Sequence, residues 1–221
     1  MLDQLIIGDV CSYIDFEASV AERRITKPKK KSIKETVPFS NVTHDFSAIH
    51  GELYWEETEL EYVFEITADS AEELEEKKQP FRNWIMNVMN EELHDPFIKD
   101  YHFLATFSDI AEDDSEIEKS TITVKFTAYP YMIANFKRVY TCDLTTEVST
   151  LVVTNNSSHR IVPTFICDIG WLMQIGGASY AISPGEVKDD KFMLAPGKNT
   201  LLVTAGAPSG TLRVEFYEEV F

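Results

Sequence analysis

The residue types that could do chemistry are all present, but none stands in the spacing that a reaction or a bound ion requires. His44 and His50 flank Asp45, yet on a segment of irregular pattern that spacing fixes no metal geometry. His159 beside Arg160 falls in the turn cluster Asn155-Asn-Ser-Ser-His and reads as a surface residue. The acidic run Glu112, Asp113, Asp114, Glu116 and Glu118 lacks the ligand spacing and the glycine of a calcium loop, so it reads as a solvated hairpin tip. Gly176-Gly-Ala-Ser-Tyr lacks the glycine after the serine that a nucleophile elbow needs. There is no P-loop and no dinucleotide fingerprint, and no pair of carboxylates stands out for glycoside hydrolysis. Cys11, Cys142 and Cys167 are odd in number, far apart and without CxxC spacing, which argues against a disulfide framework and against a structural zinc. The expectation is a protein with no catalytic residue, metal or cofactor. The aromatic faces of Trp171 and Tyr180 could stack on sugars, which makes a carbohydrate-binding module the alternative function.

Composition bounds the class. At 221 residues, with 44% apolar residues, 14 Phe and 9 Tyr, the chain should form one large or two small β-rich domains, each able to bury a core. No apolar stretch is long enough to span a bilayer. The N-terminal residues lack the basic flank and cleavage site of a signal peptide, so synthesis in a cytoplasm without membrane insertion is expected. A formal charge of −17 opposes general nucleic-acid binding. The charge is uneven, however: Arg23, Arg24, Lys27, Lys29, Lys30, Lys31 and Lys34 are seven of the 20 basic residues. A basic arm on an acidic body suits self-association, in which electrostatics sets register more than affinity. Against that stands the solvated loop that most charge runs are.

The elements follow from periodicity. Met1 to Phe16 reads as a short strand pair or a bent strand. Ile33 to Phe46 is extended, with Pro38 confining it to an edge or an irregular crossing. Leu60, Tyr62, Phe64 and Ile66 alternate with Glu59, Glu61, Val63, Glu65 and Thr67, the pattern of a strand with one buried face. Ser70 and Glu73 make a capping box for a helix carrying Leu74, Phe81, Ile85, Val88 and Met89 in an apolar stripe with Trp84 beside it, and Pro80 is expected to kink or split that helix. Strands at Tyr101 to Phe107 and Thr121 to Thr127 follow, the second closed by Tyr129-Pro-Tyr131. The best boundary is Met132 to Lys137. Beyond it come short strands at 149–154, 161–167, 171–175, 179–182, 191–194, 199–204 and 211–217, separated by Gly, Pro and Asn turns. That pattern indicates a jelly-roll β-sandwich of roughly 85 residues.

The ordered set of these features resembles the distal tail proteins of siphovirus-type phages. In the first half the likeness rests on Glu35-Thr-Val-Pro38, Asp45-Phe-Ser, Gly51, Tyr54, the Tyr62 strand, the capped helix with Trp84, the Tyr101 strand and Thr123 to Tyr131. In the second half it rests on Asn155-Asn, Pro163, the Pro196-Gly-Lys-Asn turn and Arg213 to Tyr217. Two places depart from the family pattern: Phe39-Ser-Asn41 stands where an Arg-Asp-Gly turn is common, and Thr58-Glu-Leu60 where an Arg is frequent. The resemblance implies a mainly β chain in two domains. Residues 1–134 would be a tail-tube-like, ring-forming α+β domain, a β-sandwich or split barrel with one capping helix, with an extended arm near 23–50. Residues 135–221 would be a galectin-like jelly-roll sandwich. It further implies a virion structural protein at the tail tip or baseplate of a phage or prophage, made in the bacterial host cytoplasm. Such a protein forms a ring, usually a hexamer, between the tail tube and the receptor-binding proteins. Arg23, Arg24, Lys27, Lys30, Lys31, Ile33, Val37 and Pro38 are then the expected subunit-contacting arm. Packaged DNA would pass through the ring without specific binding, and a carboxylate-lined lumen would repel its phosphates.

Overall fold

The computed structural model describes residues 3–36, 39, 41, 43–47, 53–113, 118–175, 177–205 and 209–221. The described chain divides into two compact units, Met1–Met132 with Phe221, and Ile133–Val220.

The first unit is built on one long sheet. A tight hairpin, β1 (Ile6–Ile7) and β2 (Val10–Cys11), is followed by a short helix, α1 (Ser12–Phe16), and by β3 (Ser19–Ile25). Then come β4 (Lys34–Thr36), β5 (Thr43–Asp45), β6 (Thr58–Thr67), helix α2 (Ala71–Met86), β7 (Glu91–His94), β8 (Tyr101–Asp113) and β9 (Lys119–Ala128). The sheet runs in the order β2-β1-β7-β8-β9-β6-β3, while β4 and β5 form a separate pair. It is split rather than closed: Val20 N donates to Asp3 O at 2.7 Å, bringing β3 back toward the start of β1, and Arg23 reaches from β3 to Asp3 and to Asp95 just beyond β7.

The alternation read from the sequence holds in β6, where Leu60, Tyr62, Phe64 and Ile66 are all fully buried. They pack with Ile122, Val124 and Phe126 of β9 and with Leu74, Phe81 and Ile85 of α2. Burying each such side chain contributes about 1.5–3 kcal/mol relative to exposure. The Ser70 hydroxyl caps α2 by accepting from Glu73 N at 3.2 Å; the Glu73 carboxylate answers at Asp69 N rather than at Ser70 N. Pro80 does not split the element, and α2 is one continuous helix. Glu76 and Pro80 are both exposed, so the carbonyl left without a partner faces water. Met89 lies beyond the helix and is exposed. Residues 12–16, expected within a strand pair or bent strand, form helix α1 instead, five residues being too few to carry a period of their own; Phe16 anchors it, stacking on Trp84 at 5.0 Å.

The chain passes into the second unit within β10 (Met132–Ala134), and the last strand of that unit is β19 (Glu219–Val220). Between them lie β11 (Arg138–Leu144), β12 (Ser149–Asn155), β13 (Thr164–Cys167), β14 (Trp171–Ile175), β15 (Ala178–Ile182), β16 (Gly185–Val187), β17 (Gly197–Ala205) and β18 (Gly210–Phe216). They form two four-stranded sheets, β11-β18-β13-β16 and β12-β17-β14-β15. Counting the eight strands in chain order gives 1-8-3-6 and 2-7-4-5, the jelly-roll connectivity expected from the turn spacing. Two strands were not anticipated, β11 and β16. Conversely, 191–194 is not a strand; Leu194 makes a single bridge to Ile161 while Phe192 and Leu194 fill the core.

The turns that carried the family resemblance are structural. Buried Asn155 donates through Nδ2 to His159 O (3.1 Å) and Leu194 O (2.9 Å), and its Oδ1 accepts from Ser157 N. Asn199 accepts from Ala195 N at 2.9 Å and donates back to Ala195 O at 2.8 Å, closing a turn whose Gly197 has φ 92°. A side chain would strain that glycine.

Candidate functional site

The basic segment is one half of a β-ribbon. Strands β3 and β6 pair antiparallel as far as Ile25 opposite Leu60, and Thr26 N then donates to Glu59 O. The same register continues beyond the sheet: Lys30 bridges Trp55, Glu56 N donates to Lys29 O at 2.7 Å, and Lys31 N donates to Tyr54 O at 2.8 Å. Further out, β4 and β5 pair with Lys34 opposite Asp45, and Phe46 N donates to Ile33 O. At Ile33 the ribbon is held by Ser47, whose hydroxyl accepts from Ile33 N at 2.9 Å.

This ribbon has almost no cover. Residues 29–36 are exposed throughout, and so are Ile33, Phe39, Phe46, Leu53 and Tyr54, large apolar side chains that sheets ordinarily bury. A two-stranded ribbon alone in water is marginal, and this one leaves its apolar side chains uncovered. At its root is a groove of about 470 Å³ lined by Ile25, Pro28, Phe97, Ile98, Phe103 and Phe221 among others.

The two strands have opposite charge. Residues 26–36 carry five lysines and Glu35, whereas residues 43–57 carry Asp45, Glu52, Glu56 and Glu57 and no lysine or arginine. Over these stretches of sequence the charges cancel, with the lysines on the outgoing side and Asp45, Glu56 and Glu57 on the returning one. Asp45 is held below the usual carboxylate range by the Ser47 hydroxyl and backbone N–H, with smaller help from Lys34 and Lys30.

The expected arm residues divide into three groups. Arg23 and Arg24 belong to β3 and are engaged within their own unit. Arg23 Nε donates to both Asp95 oxygens, at 3.0 and 3.2 Å, and its guanidinium lies 4.1 Å from the centre of the Phe97 ring. Arg24 donates to Glu61 at 2.7 Å. Lys27, Lys30, Lys31 and Ile33 lie on the exposed ribbon. Val37 and Pro38 are outside the described residues, as is His50. Burial, helped by the buried Asp95 carboxylate, pushes the Tyr62 phenol well above its ordinary range.

The acidic hairpin tip is more occupied than its sequence suggests. Strands β8 and β9 run on to Asp113 and from Lys119, and Glu112 is gripped by the Arg82 guanidinium of α2 through both oxygens. Lys78, also on α2 and only 1% exposed, lies 3.3 Å from Glu112 and 2.6 Å from Glu75. The Arg82 hydrogen bond, helped by its charge and by Lys78, holds the Glu112 carboxyl below its ordinary range. Residues 114–117 lie outside the described set.

Trp171 is 3% exposed and packs its ring 5.6 Å from Phe165, inside the core of the second unit. An indole so placed has no face to offer a sugar. Tyr180 is half-buried, edge-on to Phe192 at 4.9 Å. Cys11 and Cys167 are buried; Cys142 is half-buried, and burial raises its thiol pKa. Among the described residues no helix is long and apolar enough to cross a membrane.

One cluster escaped the sequence reading. The ligand atoms of Glu92, His94 and His102 lie within 4.8 Å of one another on the outer face of β7 and β8. The sequence holds a Glu-x-His step at 92–94, but only the structure places it on a strand, with a histidine opposite it.

No family model matches the sequence, and no curated protein sequence does. The SPP1 Dit protein, described as a hub of the adsorption apparatus of phages that infect Gram-positive bacteria, matches in structure with a TM-score of 0.69. The match covers 96% of this chain and 98% of that one at 16% identity. The chain has the Dit fold. A chain of the phage P2 baseplate in its activated conformation also aligns over 96% of this sequence, at 8% identity and a TM-score of 0.40, too slight a likeness to bear on the fold. The Dit fold accounts for both units together, the split sheet with its capped helix and the jelly roll, since the alignment runs through nearly the whole of both chains. It agrees with the fold expected from the distal tail protein resemblance.

Proposed function

We propose that this chain is a structural, non-enzymatic hub protein of a phage tail tip, forming a ring that joins the tail tube to the receptor-binding proteins of the baseplate. The observation that carries the reading is the Dit fold extending over both units. The first unit would form the ring against the tail tube, and the jelly roll would carry the outer proteins. The ribbon supports self-assembly: its basic and acidic edges and its exposed Ile33, Leu53 and Tyr54 suit the surface of a second copy, with charge fixing the register. A net charge of −17 suits a channel that DNA passes without sticking, although Glu112 contributes less to it than an unpaired carboxylate would.

Electron microscopy of the purified protein, alone and mixed with tail tubes, tests the proposal. The expected result is a closed ring of about six copies with a central channel, seated at one end of the tube. Single copies under both conditions would overturn it.

A further inference from the structure

Strand β7 lies between β1 and β8, with Glu92 opposite Leu104 and Leu93 opposite Phe103. Carried one residue further, that register sets His94 opposite His102. Alternation sends Leu93 and Phe103 into the core, and Glu92, His94 and His102 to the other face. Two imidazoles therefore meet across the strand pair, ring centres 5.0 Å apart, with a carboxylate two residues along from one of them. His94 Nε2 lies 3.3 Å from Glu92 Oε2, and His102 Nε2 lies 3.9 Å from Glu92 Oε1.

We propose that Glu92, His94 and His102 form a binding site for a divalent transition-metal ion of the zinc type, held by the two Nε2 atoms and a Glu92 oxygen. Two neutral nitrogens and one carboxylate are the donor set that suits zinc and its neighbours, whereas calcium and magnesium take oxygen donors. With Zn–N and Zn–O bonds of about 2.0–2.2 Å, the donors of a tetrahedral ion stand roughly 3.4 Å apart. The Glu92–His94 separation already meets that spacing, and the other donors, within 4.8 Å of one another, need to close by up to roughly 1.4 Å. The side chains able to move are the right ones. Glu92, with its side chain 60% exposed, has room to turn toward the ion, while His102, nearly buried, supplies the inner donor. The neighbouring Asp95 does not compete for the ion, because Arg23 holds both its oxygens. Three protein donors leave the fourth position to water, and the bound ion staples β7 to β8.

The full chain, stripped with a chelator and desalted, is titrated with zinc alone by calorimetry while its melting temperature is followed. One ion per chain is expected, with a melting temperature that climbs as zinc increases. Cobalt in place of zinc should give the visible absorption of a low-coordinate site. Glu92→Gln and His94→Ala should each weaken binding at least about tenfold, the scale of losing a group that shapes a metal site. His44→Ala, on the ribbon, should leave binding unchanged. Glu92 is a surface side chain, so Glu92→Gln decides the matter even if His94→Ala unfolds. Absence of stoichiometric heat, or zinc binding by Glu92→Gln equal to that of the parent, would overturn the site. Loss of ring assembly elsewhere would leave it standing, since the zinc titration reads the single chain.

Discussion

The jelly roll and the ribbon are made of the same antiparallel ladder, yet one is closed and the other is open. In the jelly roll every strand that alternates finds an opposing sheet: Leu151 and Val153 of β12, Leu201 and Val203 of β17, and Leu212 and Val214 of β18 are all buried in one core. In the ribbon, Ile33, Leu53 and Tyr54 find none, although the backbone pairing is sound. Sheets are stabilised by the face they bury far more than by their hydrogen bonds, which are exchanged for bonds to water on unfolding. The jelly roll thus contains its own reason to fold, whereas the ribbon buries none of these side chains within the described residues.

Mutations can sharpen that contrast. The largest effects belong to the closed regions: Phe165→Ala in the jelly roll and Phe81→Ala on the buried face of α2 should each cost ~3–5 kcal/mol in chemical denaturation, because both rings are buried among others. A cost below ~1 kcal/mol at either site would mean the packing is loose. Next comes the ion-pair cluster that ties α2 to the β8–β9 hairpin. Arg82→Ala should destabilise by ~1 kcal/mol, a partly exposed network being worth little more.

The same pair predicts a pH dependence. The Glu112 pKa is lowered in the folded state, so its stabilisation is present above its ordinary value of 4.5 and fades as pH falls below that toward the lowered folded value. The melting temperature of the parent should therefore drop more between neutral pH and pH ~4 than that of Arg82→Ala. Parallel curves would show that the contact is not made in solution. The smallest effect on folding belongs to the ribbon. Ile33→Ser with Tyr54→Ser should change the stability of the single chain by less than ~0.5 kcal/mol, as exposed sites do, while weakening association severely. Raising salt should weaken association further if the charged edges set the register.

What could be read from the sequence was what is local. The alternation of Leu60 to Ile66 and the Ser70 cap depend only on near neighbours, and both formed as read. The Asn and Gly turns of the second unit, also local, were enough to give the jelly roll. The ribbon was half visible: its lysines are consecutive, but the acidic strand that pairs with them returns some twenty-five residues later (Lys30 opposite Trp55) among apolar residues that mask the pattern. The Glu92, His94 and His102 cluster depends wholly on strand register. Trp171 was misleading for another reason. An aromatic residue alternating with polar neighbours fits a binding face and a core face equally well, and its neighbour in the alternation, Met173, is fully buried beside it.

The proposed hub role has a second copy complete the open ribbon. Its most direct test is the mass of the assembled species by light scattering across a range of concentrations, for the parent and for a variant in which residues 27–56 are replaced by a short turn joining β3 to β6. The account expects the parent to reach a closed oligomer and the shortened chain to stay monomeric with both cores intact by circular dichroism. An oligomer of unchanged size and affinity without the ribbon would contradict it.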